Sequence, residues 1–238
     1  MYEVFENEGR ITQEQLEKLQ KLPVATICDA LLMIGLHNGN VLMGNINPLQ
    51  PLKTTVVGLA TTVYAPDGLS TPVLLATLKY SKDRVLVVAT NECMHSAYLG
   101  GIQGLIAKKV GCLGIVIDGL IRDKNALMVT SVPIFCRGTI PSRPTIAEGG
   151  SINTMITIGK VIIRNGDIIC GDTDGVVVIP QEKIDEVIAL AEEKEKRDCQ
   201  RVDTINRLDF SDTASLQGFE SIINKELKQY IDENQQEK

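Results

Sequence analysis

The chain has 238 residues, 44% of them hydrophobic and 23% charged, the composition of a folded protein with one large domain or a domain plus an appendage. A net charge of −6 and a pI near 5.1 disfavour a nonspecific nucleic-acid binder. No apolar run approaches the roughly 18 residues of a spanning helix. The opening MYEVFENEGR puts three acids before its first arginine and has no apolar signal-peptide segment, so no membrane partner is expected and the cytoplasm is the expected compartment.

In chain order, residues 11–22 begin with Thr12-x-x-Gln15, a capping-box pattern, and carry Leu16, Leu19 and Leu22 at helical spacing. A second short helix is expected over 27–34, started by Thr26, with Asp29 as a first-turn acid. The middle of the chain is punctuated by glycine and proline and rich in β-branched residues. Strands are expected at 54–65, 84–90, 114–119, 132–138, 160–172 and 175–180, with a tight turn at Asn165-Gly166. The stretch GIQGLIAKKVG between Thr90 and Gly114 reads as a helix, which makes residues 84–119 a βαβ unit.

From Gln181 a charged helix places Ile184, Val187, Ile188 and Ala191 on one face. A second stripe follows at Phe219, Ile222, Ile223, Leu227, Tyr230 and Ile231. These helices either pad the domain or reach a neighbouring subunit. The expected organisation is a main α/β domain over 1–198 and a helical extension over 199–238.

Six cysteines (Cys28, Cys93, Cys112, Cys136, Cys170, Cys199) form no CxxC pair, and His37 and His95 are the two histidines. A Cys/His zinc site is therefore not expected, the thiols read as structural, and any metal should be hard and oxygen-liganded. Asp172-x-Asp174-Gly175 reads as a turn, Asp118 as a residue that orients the following turn, and His37 and Lys108-Lys109 as solvated. His95 reads first as a satisfied loop residue and second as a wall of the site.

The most informative segment is GGIQGLIAKKVGCLGIVIDGLIRD, residues 100–123. It lacks the GxGxxG of a dinucleotide site. Its physical content is a glycine-opened helix N-terminus, which binds small anions through unpaired N–H groups, followed by a buried strand that delivers Arg122 and Asp123 side by side. Arginine offers a planar fork for a carboxylate, and aspartate offers hard oxygens for a divalent cation. A plain surface ion pair is the competing reading.

This segment, with PIFCRGT (133–139), NGDIICGDTDGVVVIP (165–180), TICDAL (26–31) and VVGLATTV (56–63), resembles the RraA-like family over residues 20–195. The family includes divalent-metal-dependent 4-hydroxy-4-methyl-2-oxoglutarate aldolases that also decarboxylate oxaloacetate. The resemblance implies a mixed α/β fold of layered β/β/α swivelling-domain type, flanked here by N- and C-terminal helical extensions. It implies a trimer or a hexamer with sites near subunit boundaries. It also implies that the backbone amides of Gly100, Gly101, Ile102 and Gln103 hold the carboxylate of a small 2-oxo acid. Arg122 would bind substrate and stabilise the enolate, and Asp123 would hold Mg²⁺ or Mn²⁺, partly through waters. One position departs from the family pattern: many of its aldolases carry an acid where this chain has Gly101. Glu92, Glu192, Glu193 and Glu195 are candidate substitutes, and loops around 64–72 and 137–145, with Arg137 and Arg143, are candidates for reading the rest of the substrate. The alternative within the same family is a non-enzymatic regulator that binds a ribonuclease. Asp123 argues against that alternative, because the regulator that names the family lacks this acid.

Overall fold

Local signals and distant contacts share the work of fixing the elements in the computed structural model, which describes residues 3–36, 40–42, 45–143 and 149–207. The solvated reading of His37 and the apolar stripe at 219–231 lie outside the described residues. After β1 (Glu3–Val4) comes α1 (Gln13–Lys21). Its capping box is formed: Thr12 Oγ1 accepts from Gln15 N at 3.2 Å, and Gln15 Oε1 accepts from Thr12 N at 2.9 Å. Helix α2 (Val24–Met33) begins earlier than the sequence suggested. Pro23 sits at its cap, and the Val24 N–H donates to Asp172 Oδ2 at 2.9 Å. A residue 148 positions away thus fixes the start, and Asp29 falls in mid-helix instead of the first turn.

Next come β2 (Asn47–Pro48), β3 (Val56–Tyr64) and α3 (Thr71–Tyr80). The sequence reading passed over α3, although Ser70-Thr71-Pro72 places a proline in a first turn, a recognised helix start. The expected βαβ unit is present. Strand β4 (Arg84–Ala89), β5 (Ala97–Leu99), helix α4 (Gly101–Val110) and β6 (Gly114–Ile117) follow in order, and β4 and β6 pair in parallel. Then come β7 (Leu120–Ile121), α5 (Lys124–Met128), β8 (Ile134–Cys136), β9 (Gly138–Thr139) and β10 (Ser151–Ile152).

The run 160–172 is not one strand. Its first part closes a hairpin of β11 (Ile156–Ile158) with β12 (Val161–Ile163), and its second part is β13 (Ile168–Asp172), which pairs with β14 (Gly175–Ile179) and with β3. Between them the Asp167 N–H closes a turn onto the Arg164 carbonyl at 3.1 Å, with Gly166 at φ 91°. A Cβ on Gly166 would lie 2.8 Å from the Glu8 backbone, so only glycine fits under the crossing N-terminal segment. The turn expected at Asp172-x-Asp174-Gly175 is present, and Asp172 Oδ1 accepts from Asp174 N at 2.9 Å within it. The chain continues through a 3₁₀ turn (Gln181–Lys183) into α6 (Ile184–Arg207), which buries Ile184, Val187, Ile188 and Ala191 as their spacing predicts. Two compact units result, Met1–Ala191 and Glu192–Lys238.

Nine strands form the main sheet, with path β1-β10-β3-β4-β6-β8-β2 and the β13–β14 pair joined at β3. Its centre, β3-β4-β6-β8, is parallel and buried on both faces. Leu86 and Val88 of β4 join Val63, Ile115 and Ile117 in one apolar cluster with α3 and α4, while Val85 and Val87 join Ala60, Val116 and Phe135 in another with β11–β14. A third cluster packs α1, α2 and the start of α6 on β13, β14 and β3. This is the mixed, layered α/β architecture expected. A second, three-stranded parallel sheet, β5-β7-β9, sits beyond the C-terminal ends of the central strands.

Asp167 is buried beside the Gly166 turn, and burial pushes its carboxyl above the usual aspartate value even though Oδ2 accepts from Arg164 N at 2.8 Å. A raised folded-state value means that the folded chain binds this proton more tightly than the unfolded chain. The resulting stability is full below the unfolded aspartate value and is lost as pH rises through the folded one. Asp167→Asn, which keeps the hydrogen bond, is expected to remove that slope. Urea unfolding at several pH values should show the variant gaining on the wild type from low pH towards neutrality.

Candidate active site

Strand β6 carries the chain out of the core to Asp118-Gly119, and β7 then runs between β5 and β9. The β5–β7 pairing continues one residue further, where the Arg122 N–H donates to the Leu99 carbonyl at 2.9 Å. Leu99 directly precedes the glycines that open α4. The two halves of the 100–123 motif are thereby brought together by backbone hydrogen bonds.

Asp123 adopts a left-handed conformation, φ 58° and ψ 40°, at the N-cap of α5 and caps nothing in its own helix. Aspartate tolerates this region better than most side chains. Its carboxylate reaches the neighbouring helix instead, and Oδ2 accepts from the Gly101 N–H at 3.1 Å. Arg122 Nε lies 3.7 Å from the same oxygen, with both side chains about half exposed. The Gly100 N–H donates to Gln103 Oε1 at 3.2 Å, one half of a capping box whose other half glycine cannot supply. Two of the four amides assigned to a substrate carboxylate are therefore engaged within the chain. The N–H groups of Ile102 and Gln103 lie in the first turn of α4 and have no acceptor among the described residues. A Cβ on Gly100 would sit 2.8 Å from Asp123 Oδ2 and 3.2 Å from Arg122 Nε, so glycine leaves the space these groups occupy. A Cβ on Gly101 would sit 2.8 Å from the Ala126 Cβ.

These groups open on a cleft of about 340 Å³ whose walls include Gly100, Ile102, Gln103, Arg122 and Asp123. Ser70, in the 64–72 segment expected to read the rest of the substrate, also lines it, as do Leu74 and Tyr98, which sequence reasoning did not find. The overlooked helix α3 was the signal for Leu74. Arg143 lines it as well, held close by the Ala97 N–H, which donates to the Ser142 carbonyl at 2.9 Å. Two guanidinium groups and a helix N-terminus make the cleft attractive to anions, and Asp123 is the acid among its described lining residues.

Other candidates lie elsewhere. Arg137 does not line the cleft. Its Nε and Nη2 both lie 2.6 Å from Asp118 Oδ1, and Nη2 lies 3.0 Å from Glu92 Oε1. Glu92 is thereby drawn onto Arg137 and is not a wall of the cleft. Burial pushes the Asp118 carboxyl up despite the facing Arg137 guanidinium. The pair clamps the 118–119 turn, because the Arg137 N–H also donates to the Gly119 carbonyl at 2.9 Å. The sequence reading of Asp118 as a turn-orienting residue is thus correct. His95 is exposed and lies against the Cys93 sulfur, outside the cleft. Glu192, Glu193 and Glu195 belong to the second unit, where Glu193 pairs with Arg197 at 3.6 Å.

Removing Arg137 leaves a buried carboxylate without its cation, which typically costs about 3–5 kcal/mol. Arg137→Met is expected to lose that much in denaturant unfolding. Glu92→Gln, at an exposed end of the same cluster, should change stability by less than about 1 kcal/mol.

Comparison with known proteins accounts for the arrangement. The sequence profile of the RraA-like family, described as Aldolase/RraA, matches residues 24–178. A Halalkalibacterium halodurans protein provisionally named 4-hydroxy-4-methyl-2-oxoglutarate aldolase is 38% identical over 184 residues, 77% of this chain and 84% of that one. An uncharacterized protein of Methanocaldococcus jannaschii is 32% identical over 192 residues, 77% of this chain and 86% of its own. The solved structure of RraAS2 from Streptomyces coelicolor, described as an unusual member of the RNase ES inhibitor RraA protein family, superposes with a TM-score of 0.69. It is 26% identical and covers 79% of this chain and 96% of that one. The matched span contains the small parallel sheet, the opening of α4 and the Arg122-Asp123 pair, and on these grounds the chain belongs to the RraA-like family.

Proposed function

We propose that the cleft binds the pyruvyl part of a small 4-hydroxy-2-oxo acid and cleaves the acid to pyruvate, with oxaloacetate decarboxylation as a companion reaction. The observation that carries this reading is the convergence of the Ile102 and Gln103 N–H groups, the Arg122 guanidinium and the Asp123 carboxylate on one cleft. The two amides receive the substrate carboxylate. As the C3–C4 bond breaks, the 4-hydroxyl gives its proton to water and becomes a carbonyl (in oxaloacetate the C4 carboxylate leaves as CO₂). The electrons of the bond move towards the C2 keto oxygen, and Arg122 supplies positive charge where the enolate develops. A proton from solvent then completes the pyruvate methyl group at C3. Aldol cleavage and loss of CO₂ share that enolate, so one site serves both.

A divalent cation is part of the proposal, and the donor set suits one kind of ion. No cluster of three or more His, Cys, Asp or Glu side chains is gathered among the described residues. Asp123 Oδ1 accepts no hydrogen bond among them, while Oδ2 is held by Gly101. A single carboxylate at an open cleft matches Mg²⁺ or Mn²⁺ that keeps most of its waters and takes its remaining ligands from substrate. Bound there, the cation supplies electrophilic pull on the keto oxygen.

Arg143 is the residue proposed to meet a second carboxylate, as in oxaloacetate or 4-hydroxy-4-methyl-2-oxoglutarate. Assembly as a homotrimer or hexamer belongs to the same reading. It is supported by exposed apolar side chains at Ile102 (80% exposed), Leu105 and Val129. No helix among the described residues is long and apolar enough to cross a membrane, in keeping with a cytoplasmic enzyme.

The test is pyruvate release from both substrates with Mg²⁺ or Mn²⁺, before and after chelation. Asp123→Ala is expected to abolish metal-dependent turnover. Arg122→Lys should lower kcat by about 10²–10³-fold, the usual loss for one donor to a developing oxyanion. Arg143→Met should raise KM about tenfold or more for dicarboxylates with a smaller change in kcat. Absence of metal-dependent turnover across a panel of oxo acids would instead favour a protein-binding regulator.

A further inference from the structure

Each residue of the short strand β5 holds a different wall of the cleft. The Ala97 N–H donates to the Ser142 carbonyl at 2.9 Å, beside Arg143, and the Leu99 carbonyl accepts from the Arg122 N–H at 2.9 Å. Between them Tyr98 acts through its side chain, and its hydroxyl accepts from the Gly68 N–H at 2.7 Å. The ring is buried and joins Leu69 and Val73 in one apolar cluster. At the other end of this contact is a turn that cannot satisfy itself. Asp67 and Gly68 have φ of 50° and 90°, and the Leu69 N–H closes the turn onto the Pro66 carbonyl at 3.2 Å. Positive φ at both central positions suits an Asp-Gly pair. The turn's own bond does not use the Gly68 N–H, which is buried and has Tyr98 as its acceptor. Two residues on, Ser70 leads into α3, and Ser70 and Leu74 line the cleft together with Tyr98. The other two walls are tied by backbone atoms, whereas this one is tied by a side-chain oxygen that a substitution can remove.

We propose that Tyr98 is a positioning residue for substrate specificity: its hydroxyl pins the 66–69 turn and so sets the wall of the cleft that meets the substrate beyond C3. This inference rests on the function proposed above. There the opening of α4, Arg122 and Asp123 take the pyruvyl end, which leaves Ser70, Leu74 and Arg143 as walls for the remainder. Loss of the Tyr98 oxygen leaves the Gly68 N–H buried without an acceptor, an unfavourable state that the turn relieves by moving towards water. A moved turn displaces Ser70 and the start of α3 and widens the far end of the cleft. The end at α4 keeps its own ties through Leu99 and Gly101. The same hydroxyl donates to Cys93 Sγ. That second contact is not required by the first, because a hydroxyl oxygen accepts whichever way its hydrogen points.

The test compares the full chain with Tyr98→Phe, which keeps the buried ring, and with Cys93→Ala, which removes the other partner of the hydroxyl. Hydrogen–deuterium exchange read on peptides should be about tenfold faster over 65–70 in Tyr98→Phe and within about twofold of wild type over 118–123. With Mg²⁺ present, the same variant should raise KM for oxaloacetate about fivefold with a smaller change in kcat, while pyruvate affinity measured by calorimetry stays within about twofold. Cys93→Ala should match the wild type in exchange over 65–70 and in KM. Unchanged exchange over 65–70 in Y98F would overturn the proposal. So would faster exchange with no rise in KM, which would reduce the contact to a stabilising one, or an equal weakening of pyruvate and oxaloacetate. Wild-type protein that turns over no oxo acid would refute the cleavage chemistry instead, and the pin would then be judged by exchange over 65–70.

Discussion

A few backbone hydrogen bonds between residues 97–99 and 120–122 decide where the polar chemistry of this molecule is placed. The central sheet is largely apolar on both faces, and its buried cation, Arg84 at the start of β4, is held by neutral oxygens of Thr61, Ala60, Glu8 and Asn165. The chain escapes it at Asp118-Gly119 and at once joins a smaller parallel ladder, in which the Arg122 amide is tied to the Leu99 carbonyl. That tie places the end of one βαβ limb against the opening of its own crossover helix. Without it, Arg122-Asp123 and the first turn of α4 would be two unrelated surface features. Ladders this short are weak alone, and this one is braced from below by the buried Asp118–Arg137 pair and by Thr90, whose hydroxyl donates to the Asp118 carbonyl. The support is ionic and buried, while the site it supports is half exposed.

Within the site, charge is distributed by backbone geometry. Asp123 would ordinarily cap the helix it begins. Its left-handed conformation turns the carboxylate onto the neighbouring helix, where Gly101 receives it. One oxygen is fixed and the other accepts no hydrogen bond among the described residues, and the amides of Ile102 and Gln103, two residues that line the same cleft, have no acceptors there. An anion and a hydrated cation can thus be accommodated as neighbours. The helix end favours the first and the carboxylate the second.

Much of the frame was legible in the chain itself because its signals are local. The Thr12–Gln15 capping box, the apolar face of 184–191 and the β-branched runs of the parallel strands all come from periodicity or from residues three apart. The unit over 84–119 follows from two strand patterns enclosing a helical one. What escaped was non-local. The start of α2 is set by Asp172, the division of 160–172 by a hairpin on one side and β3 on the other, and the pairing of Arg137 by a buried acid nineteen positions away. The two arginines of the 137–145 loop are indistinguishable in sequence. One is drawn inward by Asp118, and the other reaches the cleft through the Ala97–Ser142 hydrogen bond. Arg122, Asp123 and the glycines were visible as a motif, but the internal use of the Gly100 and Gly101 amides required coordinates.

The contact between Gly101 and Ala126 has a bearing on how this chain could ever change its proton chemistry. An acidic side chain at residue 101 must begin with a β-carbon, and that carbon overlaps the methyl group of Ala126. The two positions are mechanically interlocked: 101 can grow only after 126 has shrunk or α5 has shifted. A one-step substitution is obstructed by sterics before electrostatics enter, and redesigning this corner of the scaffold calls for paired changes on two helices.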